Sequence, residues 1–431
     1  MPSHVYMDNS ATTRVSEEAL AAMLPLFDVS YGNPSALYDS GRDAFKALED
    51  ARASVAASLG ALRSEIFFTS GGTESNNWAI AGTADAAEAA AGGHGPGGRG
   101  ASGASGGRGP LHMICSAVEH SAVLKPLQRL ERRGWEVTVL PTDRTGAVSP
   151  GDLEAAIRPE TQLVTVMAAN NVVGTLHDVK ELSRVCRRRR VPFHTDAVQA
   201  AGHVPLNVRD WDADMVSLSA HKFHGPKGTG ALFCKVPRRP DPLVLGGGQE
   251  RGGRSGTENV AGACGMAAAL AQAVRGMEAD SARLAAMRDR IVEGALAVPG
   301  VLLTGDPARR LPGHASFVVE GIRHSALLIT MLNERGVCAS SGSACTAASK
   351  EADHVLQALG YGWEPFASLR LTLSVYNTDE EVSRVLEALP ACIAELRRRD
   401  PLGATGALVR GDGEAANRER LRAAGKQEWR G

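Results

Sequence analysis

Two short stretches of the sequence end in side chains that could act together on one small molecule. Residues 193–199 and 216–222 each begin with an apolar, β-prone run and end in polar residues. Such a run is typical of a buried strand in a parallel sheet, and ligand sites of α/β proteins form where these strands end. We therefore expect Asp196 and Lys222 to lie in one crevice.

A carboxylate and an amine in one crevice suit a cofactor that has both a basic ring nitrogen and an aldehyde. Pyridoxal 5′-phosphate (PLP) is such a cofactor: a lysine forms a Schiff base with its aldehyde, and an aspartate holds the proton on its ring nitrogen. Taken alone, Asp196 and Lys222 are equally compatible with an ordinary ion pair between two loops.

Two glycine-rich segments have the form of phosphate sites. The predicted strand 66–70 runs into Gly72 and Thr73 and then a helix, an arrangement that presents free backbone N–H groups to a phosphate. A plain strand-to-helix turn is the alternative. A second helix entry of this kind, residues 254–259, contains Thr257. Neither segment has the G-x-G-x-x-G or P-loop spacing, which disfavours a nucleotide-binding module.

Three further side chains suit chemistry. His120 follows the predicted strand 111–115 and could stack on a cofactor ring or carry protons, although a capping or core histidine is commoner. Arg370 lies off the apolar face of the predicted strand 369–373. Cys345 ends a Ser-Ser-Gly-Ser-Ala-Cys segment, which predicts an exposed, flexible loop where a thiol can act as a nucleophile. A small buried hydrophobe is the alternative for any lone cysteine.

The elements that must position these residues follow an α/β order. Strand and helix patterns alternate from Ile66 to Cys234, which predicts a doubly wound domain, and an Ala-rich helical region and short strands after Val260 suggest a second, α+β domain. Residues 92–110 are nearly all Gly, Ser, Ala and Arg and are expected to form a flexible insertion without a core. The predicted parts are a large domain 16–256, a small domain made of 1–15 and 257–400, and a charged tail 401–431.

Composition excludes several other classes of protein. A chain of 431 residues with a formal charge of −1 has no global attraction for nucleic acid or anionic membranes. No run of eighteen apolar residues occurs, and the first residues lack the basic and apolar regions of a secretory signal. The seven cysteines include no C-x-x-C pair, which argues against a disulfide framework and a zinc site. We expect a cytoplasmic protein without a structural metal.

The order of these residues along the chain is more specific than any one of them. It resembles the cysteine desulfurases of the NifS/IscS type from about Val5 to Leu396, apart from the Gly-rich insertion. The resemblance rests on Thr73, His120, Asn171, Asp196, Gln199, His221, Lys222, Thr257, Cys345 and Arg370. It implies a PLP-dependent transferase of fold type I, with a mainly parallel seven-stranded sheet in a large domain and a smaller α+β domain.

The resemblance also implies a role for each cofactor residue. Lys222 corresponds to the Schiff-base lysine, Asp196 to the partner of the ring nitrogen, Gln199 to the ligand of the ring hydroxyl and His120 to the residue stacked on the ring. The implied phosphate ligands are Gly72, Thr73, Ser219, His221 and, reaching across to the other subunit's cofactor, Thr257.

For the substrate, the resemblance implies that Arg370 binds the carboxylate, for which a bidentate fork is suited. Asn171 corresponds to a residue that holds the cofactor hydroxyl or the substrate. Cys345 is the implied nucleophile. The activity implied is removal of sulfur from L-cysteine by a homodimer, giving L-alanine and a persulfide on Cys345. A sulfur-acceptor protein, such as an iron–sulfur scaffold, would receive that sulfur transiently.

Three positions depart from the family pattern and keep other interpretations open. Val172 stands where the family usually has a glutamate, Tyr38 where a histidine is common, and residues 374–375 are Ser-Val rather than Gly-Arg. Tyr38 and the Gly-rich insertion are similar to features of selenocysteine lyases, so a lyase or an aminotransferase-like relative is one alternative. A catalytically impaired sulfur-transfer scaffold is the other.

Overall fold

The computed structural model of the chain describes residues 4–92, 109–236, 239–342, 353–361 and 366–399. The helices in these ranges are α1 Glu17–Met23, α2 Pro25–Asp28, α3 Asp39–Leu59, α4 Gly72–Ala90, α5 Ser121–Glu131, α6 Pro150–Ala156, α7 Val179–Arg189, α8 Val208–Trp211, α9 Val260–Leu296, α10 Ser325–Glu334, α11 His354–Ala358 and α12 Asp379–Arg399. Cys345, residues 93–108 of the predicted insertion and the predicted tail 401–431 lie outside the described residues.

The strands divide into one large and two small sheets. They are β1 Val5–Tyr6, β2 Ile66–Thr69, β3 His112–Ser116, β4 Glu136–Leu140, β5 Thr161–Thr165, β6 Phe193–Asp196, β7 Met215–Ser219, β8 Gly230–Cys234, β9 Val301–Leu303, β10 His314–Glu320, β11 Val337–Cys338 and β12 Phe366–Thr372. The large sheet has seven strands in the order β2-β8-β7-β6-β5-β3-β4. The five neighbouring strands β7, β6, β5, β3 and β4 run parallel to one another, whereas β8 is antiparallel to both of its neighbours, β2 and β7. The predicted mainly parallel seven-stranded sheet is confirmed.

The large sheet is covered on both faces, which explains why its central strands are buried along their whole length. Along β8, Ala231 and Phe233 pack in one hydrophobic cluster, whereas Leu232 and Cys234 pack in another. Because successive strand residues point to opposite faces, these two clusters lie on the two sides of the sheet. All residues of β6 and β7 are buried, the polar ones included, and His194 Nε2 lies 2.9 Å from Ser217 Oγ on the neighbouring strand.

Helix α9 runs through two hydrophobic cores. Its residues from Val260 to Leu270 join the core of the large sheet, and those from Leu284 to Ala295 join a second core. By length and composition alone α9 is apolar enough to cross a membrane, but half of its most apolar window is buried in the protein. Within the described residues α9 packs against α1 and α3, as a core helix does.

The second core surrounds the antiparallel sheet β12-β10-β9 and the parallel pair β1-β11. Val5 and Met7 are fully buried in it, so the start of the chain packs with residues more than 300 positions later. Helices α11 and α12 were not predicted from the sequence pattern. The domain boundaries at residues 16 and 257 stay a prediction.

Candidate active site

The carboxyl ends of β2, β6 and β7 meet at one edge of the large sheet. Asp196 is the last residue of β6, and Lys222 ends the 3₁₀ turn that follows β7. The Asp196 side chain is fixed by two donors: Oδ1 accepts from the Val198 N–H at 2.9 Å and Oδ2 from Asn76 Nδ2 at 2.6 Å. Asn76, on α4, had not been singled out from the sequence, and its own Oδ1 is buried without a partner among the described residues.

Lys222 is held by backbone oxygens and not by Asp196. Its Nζ donates to the carbonyl oxygens of Ser10 and Ala11. Burial lowers the pKa of Lys222 to about 8, and repulsion from Arg370 adds to this effect. Lys222 and Asp196 therefore do not form the ordinary ion pair that was the alternative. Instead, about a tenth of the amine is uncharged at pH 7, which is the state of a nucleophile.

A cavity of about 410 Å³ opens at the start of α4. It is lined by Thr12, Ser70, Gly71, Gly72, Thr73, Glu74, Ser219, His221, Lys227 and Gly228. Four of the predicted phosphate ligands, Gly72, Thr73, Ser219 and His221, are thus brought together. The first N–H groups of a helix have no partner inside it, and here they lie at the cavity.

The cavity is shaped by close backbone packing. A Cβ atom on Gly72 would lie 2.5 Å from Val198 Cγ2, so only glycine fits at the first position of α4. His221 Nδ1 is 3.1 Å from Thr12 Oγ1, and burial lowers the pKa of its imidazole to about 4, with Lys222 as a further cause. The imidazole is therefore neutral at pH 7 and has one N–H to donate.

An ion pair links the two glycine-rich segments. Arg254 Nε donates to Glu74 Oε1 at 2.9 Å, and the Ser70 N–H donates to Glu74 Oε2. Although burial opposes ionisation, these hydrogen bonds keep the pKa of Glu74 below its usual value. Arg254 thereby neutralises the one carboxylate among the residues that line the cavity. Thr257 is exposed and does not line this cavity of its own chain.

His120 caps helix α5, and a capping role is commoner for such a histidine than a role at a cofactor. Its Nδ1 accepts from the Ala122 N–H at 3.1 Å, which leaves the proton on Nε2. Burial lowers the pKa of His120, and Asp196 and Lys222 both act on it electrostatically, so the ring faces the site as well. Gln199 Nε2 donates to the Ser10 carbonyl, the same oxygen that Lys222 contacts. Stacking of His120 on a cofactor ring stays a prediction.

Glu119 is a buried carboxyl that sequence reasoning missed. Oε1 accepts from Ser116 Oγ at 2.6 Å and from the Met167 N–H at 2.8 Å, whereas Oε2 has no partner among the described residues. Burial and, to a lesser extent, the charge of Asp196 together raise the pKa of Glu119 to about 8. The only available signal in the sequence was its position between a strand end and His120. Glu119 is protonated at pH 7 and joins the segments that follow β3 and β5.

The two adjacent asparagines have separate tasks. Asn170 Oδ1 accepts from the backbone N–H groups of Val172 and Val173, which forms the turn itself. The backbone oxygen of Asn171 accepts from Arg370 Nη1 at 2.8 Å and from His314 Nε2 at 3.3 Å. The structure therefore joins Asn171 to Arg370 through the main chain.

Two of the departures from the family pattern lie in contrasting surroundings. Val172 is buried in an apolar cluster with Val118, Met167 and Val355, next to the start of α11. A carboxylate at this position would need a partner that the cluster does not offer. Tyr38 lies at the N-cap of α3 and is exposed.

Comparison with known proteins decides the family. A model of the family "Aminotransferase class-V" matches residues 5–94 and 107–385, so the gap in the match falls in the Gly-rich insertion. The cysteine desulfurase IscS of Methanosarcina thermophila is 45% identical over 399 residues, covering 92% of this chain and 94% of that protein. The chain belongs to the cysteine desulfurases. They are PLP-dependent class-V aminotransferases, and the predicted family and fold class are confirmed.

Other relatives extend this result. The cysteine desulfurase NifS of Azotobacter vinelandii is 39% identical over 414 residues, 95% of this chain and 98% of that protein. A solved NifS-like protein superposes with a TM-score of 0.81 at 34% identity, covering 91% of this chain and all of that chain. SspA, solved in complex with cysteine, superposes with a TM-score of 0.72 at 32% identity and covers 86% of this chain and 99% of that chain.

Proposed function

We propose that this cysteine desulfurase removes the sulfur of L-cysteine, releases L-alanine and retains the sulfur as a persulfide on Cys345. One observation carries the proposal: Lys222, Asp196 and Arg370 converge beside the cavity of about 410 Å³ in a chain 45% identical to a cysteine desulfurase. An amine, a carboxylate and a guanidinium are the groups that PLP and an amino acid require.

The residues present fit PLP on grounds independent of the family. The cavity at α4 offers helix N–H groups, hydroxyls and a neutral His221 to a phosphate, and its acidic Glu74 is already paired with Arg254. Asp196, fixed by Asn76 and the Val198 N–H, would hold a proton on the ring nitrogen. When bound, PLP supplies an electron sink that makes bonds at the substrate's α- and β-carbons labile.

Proton transfer falls to Lys222 and His120. Lys222, with a pKa of about 8, can release and accept a proton near neutral pH, as an α-proton shuttle must. His120 has its proton on Nε2, because Nδ1 accepts from the backbone, so Nε2 is the atom that can donate. Gln199 and Lys222 share the Ser10 carbonyl as an acceptor, which keeps both side chains directed at the same place.

Sulfur transfer requires a thiol nucleophile, and we assign it to Cys345. Its thiolate would attack the substrate sulfur, so that an S–S bond forms as the substrate's Cβ–S bond breaks. The electron pair of the broken bond stays with the carbon fragment, which leaves as alanine after protonation. Of the six cysteines among the described residues, four, Cys115, Cys186, Cys234 and Cys392, are buried. Burial raises the pKa values of Cys186 and Cys234 to about 12, which makes them poor nucleophiles.

A second copy of the chain would complete the enzyme. Between residues 24 and 45 several large apolar side chains are exposed: Leu24, Phe27, Tyr31, Leu37, Tyr38 and Phe45. A contiguous stretch of this kind is typical of an interface. The exposure of Thr257 agrees with a role in the partner's phosphate site. Replacing both Phe27 and Leu37 by Glu should convert a dimer to a monomer in sedimentation, whereas Leu62→Glu, at another exposed site, should not.

The persulfide must be discharged before another turnover. We propose that an acceptor protein with an accessible cysteine, such as an iron–sulfur scaffold, takes the sulfur, and that this occurs in the cytoplasm. Five described cysteines, Cys115, Cys186, Cys264, Cys338 and Cys392, are free thiols, which is compatible with that reducing compartment.

The function is tested by product analysis with two substrates. Purified protein with PLP should form alanine and, with a reductant, sulfide from L-cysteine in equal amounts. Selenocysteine turnover that far exceeds cysteine turnover would instead support a selenocysteine lyase. Bound PLP without alanine from either substrate would support the impaired scaffold.

A further inference from the structure

Arg370, the proposed ligand of the substrate carboxylate, already has a carboxylate partner. Its side chain is 3% exposed, and Nη2 is 2.7 Å from Asp8 Oδ1. Nη1 donates to the backbone oxygens of Asn171 and Gly342. Among the residues that the structure describes, Nε has no partner although it is buried. A guanidinium has five N–H groups, so donors remain for a second acid.

Asp8 is held in place by backbone contacts on either side. Thr372, two residues after Arg370 on β12, donates its N–H to the Met7 oxygen at 2.7 Å, and its Oγ1 accepts from the Ser10 N–H at 2.9 Å. Asn9 Nδ2 donates to the Thr372 oxygen at 2.8 Å. The turn formed by residues 8–11 therefore cannot move away from Arg370 as a whole. The Asp8 side chain, which is 21% exposed, can still rotate towards solvent.

The same turn also binds the amine of Lys222. The Ser10 and Ala11 oxygens accept from Lys222 Nζ, so residues 8–11 satisfy both cations of the site. Orientation of Arg370 does not depend on Asp8, because the backbone of Arg370 exchanges hydrogen bonds with Ser340 and its Nη1 is fixed by two carbonyl oxygens. What Asp8 adds is charge. A buried guanidinium without a counter-ion is strongly disfavoured, so the site without substrate needs one.

We infer that Asp8 holds the place of the substrate carboxylate on Arg370, and that the amino acid binds by displacing Asp8 from Nη2 and by using the unpartnered Nε–H. Asp8 is then a positioning and specificity residue: it sets the affinity for the amino acid without taking part in the chemistry. The inference rests on the proposed function, since it concerns the substrate of the same site.

The test compares carboxylate binding by the wild type and by Asp8→Asn. Asparagine keeps an oxygen for Nη2 but removes the competing charge, so the dissociation constant for propionate should fall at least about tenfold. Saturation-transfer NMR on PLP-free protein measures this without any catalysis. With PLP bound, the KM for L-cysteine should fall by a similar factor while kcat does not rise.

Three further variants control the result. Glu17→Gln removes an exposed acid from the same end of the chain and should leave propionate binding unchanged. Asp8→Ser is a second neutral variant, in case Asp8→Asn does not fold, and should also bind propionate about tenfold more tightly. In an Arg370→Met background, Asp8→Asn should have no effect on propionate.

Unchanged or weaker propionate binding by both neutral Asp8 variants would overturn the inference and make Asp8 an orienting residue. This outcome is separate from failure of the proposed function. Tighter propionate binding in a protein that forms no alanine would support the inference about Asp8 and refute the proposed desulfurase activity.

Discussion

The two ends of the site are built in different ways. The phosphate end consists of neutral donors at the start of α4 and at the end of β7 together with the exposed Lys227, and its one acid, Glu74, is neutralised by Arg254. The carboxylate end consists of a charge, Arg370, that is already paired with Asp8. The first end is therefore open to an anion, whereas the second must exchange one carboxylate for another. This difference suggests a resident cofactor at one end and a substrate that comes and goes at the other.

Lys222 lies between the two ends and should show the largest effect. Lys222→Ala removes the amine to which the cofactor aldehyde would attach, so the visible absorbance of the bound cofactor should disappear. Alanine formation should fall by at least about four orders of magnitude, roughly 5 kcal/mol of barrier. Absorbance and product analysis measure both effects.

The matched control for this variant is Lys227→Ala. Lys227 is exposed at the same cavity, and its removal should leave the absorbance intact at saturating PLP. Borohydride trapping followed by peptide mapping that located the cofactor on Lys227 would refute the assignment.

Asp196→Asn tests the cofactor end alone. The amide keeps the shape and can still accept from the Val198 N–H, but the charge that holds the ring proton is lost. PLP should still bind, and the turnover number should fall about 100-fold, roughly 2.7 kcal/mol. Steady-state kinetics at saturating PLP measure this. Near-normal turnover would mean that Asp196 is not the partner of the ring nitrogen.

Glu119→Gln tests the buried carboxyl behind the site. The folded-state pKa of Glu119, about 8, lies above the ordinary glutamate pKa of 4.5, so between these values the native state holds a proton that the unfolded state releases. Wild-type stability should therefore fall as pH rises, by about 2 kcal/mol from pH 5 to pH 7 from this group. Denaturant unfolding at both pH values should show this contribution missing in Glu119→Gln. An identical pH dependence in both proteins would show that Glu119 is ionised.

The smallest effect is expected outside both ends. Residues 92–110 were predicted from composition to have no core to bury, and the family match has its gap there. Replacing them by a short Gly-Ser turn should leave PLP content and alanine formation within about twofold. A loss of either would show that this segment contributes to the site.

The same contrast explains what the sequence could predict. Gly72, Asp196 and Lys222 lie at the end of a strand or within three residues of one, so local periodicity located them, and the strand order of the sheet brought them together. Asp8 and Arg370 are 362 positions apart and meet only because β1 and β12 pack in one core. Glu119 looked like an ordinary residue before His120, since its burial depends on Met167 and Ser116. Long-range pairing and desolvation have no local signature, which is why these features were missed.

The central claim is that the substrate sulfur passes to Cys345. The most direct test incubates PLP-loaded wild type, Cys345→Ser and Cys338→Ser with L-cysteine, followed by alanine quantification and mass spectrometry of alkylated peptides. Cys338, the half-exposed thiol of β11, is the control for an unspecific accessible cysteine. The account predicts a persulfide on the Cys345 peptide in the wild type and in Cys338→Ser, and neither persulfide nor substantial alanine in Cys345→Ser. Full alanine formation by Cys345→Ser without added thiol would contradict it.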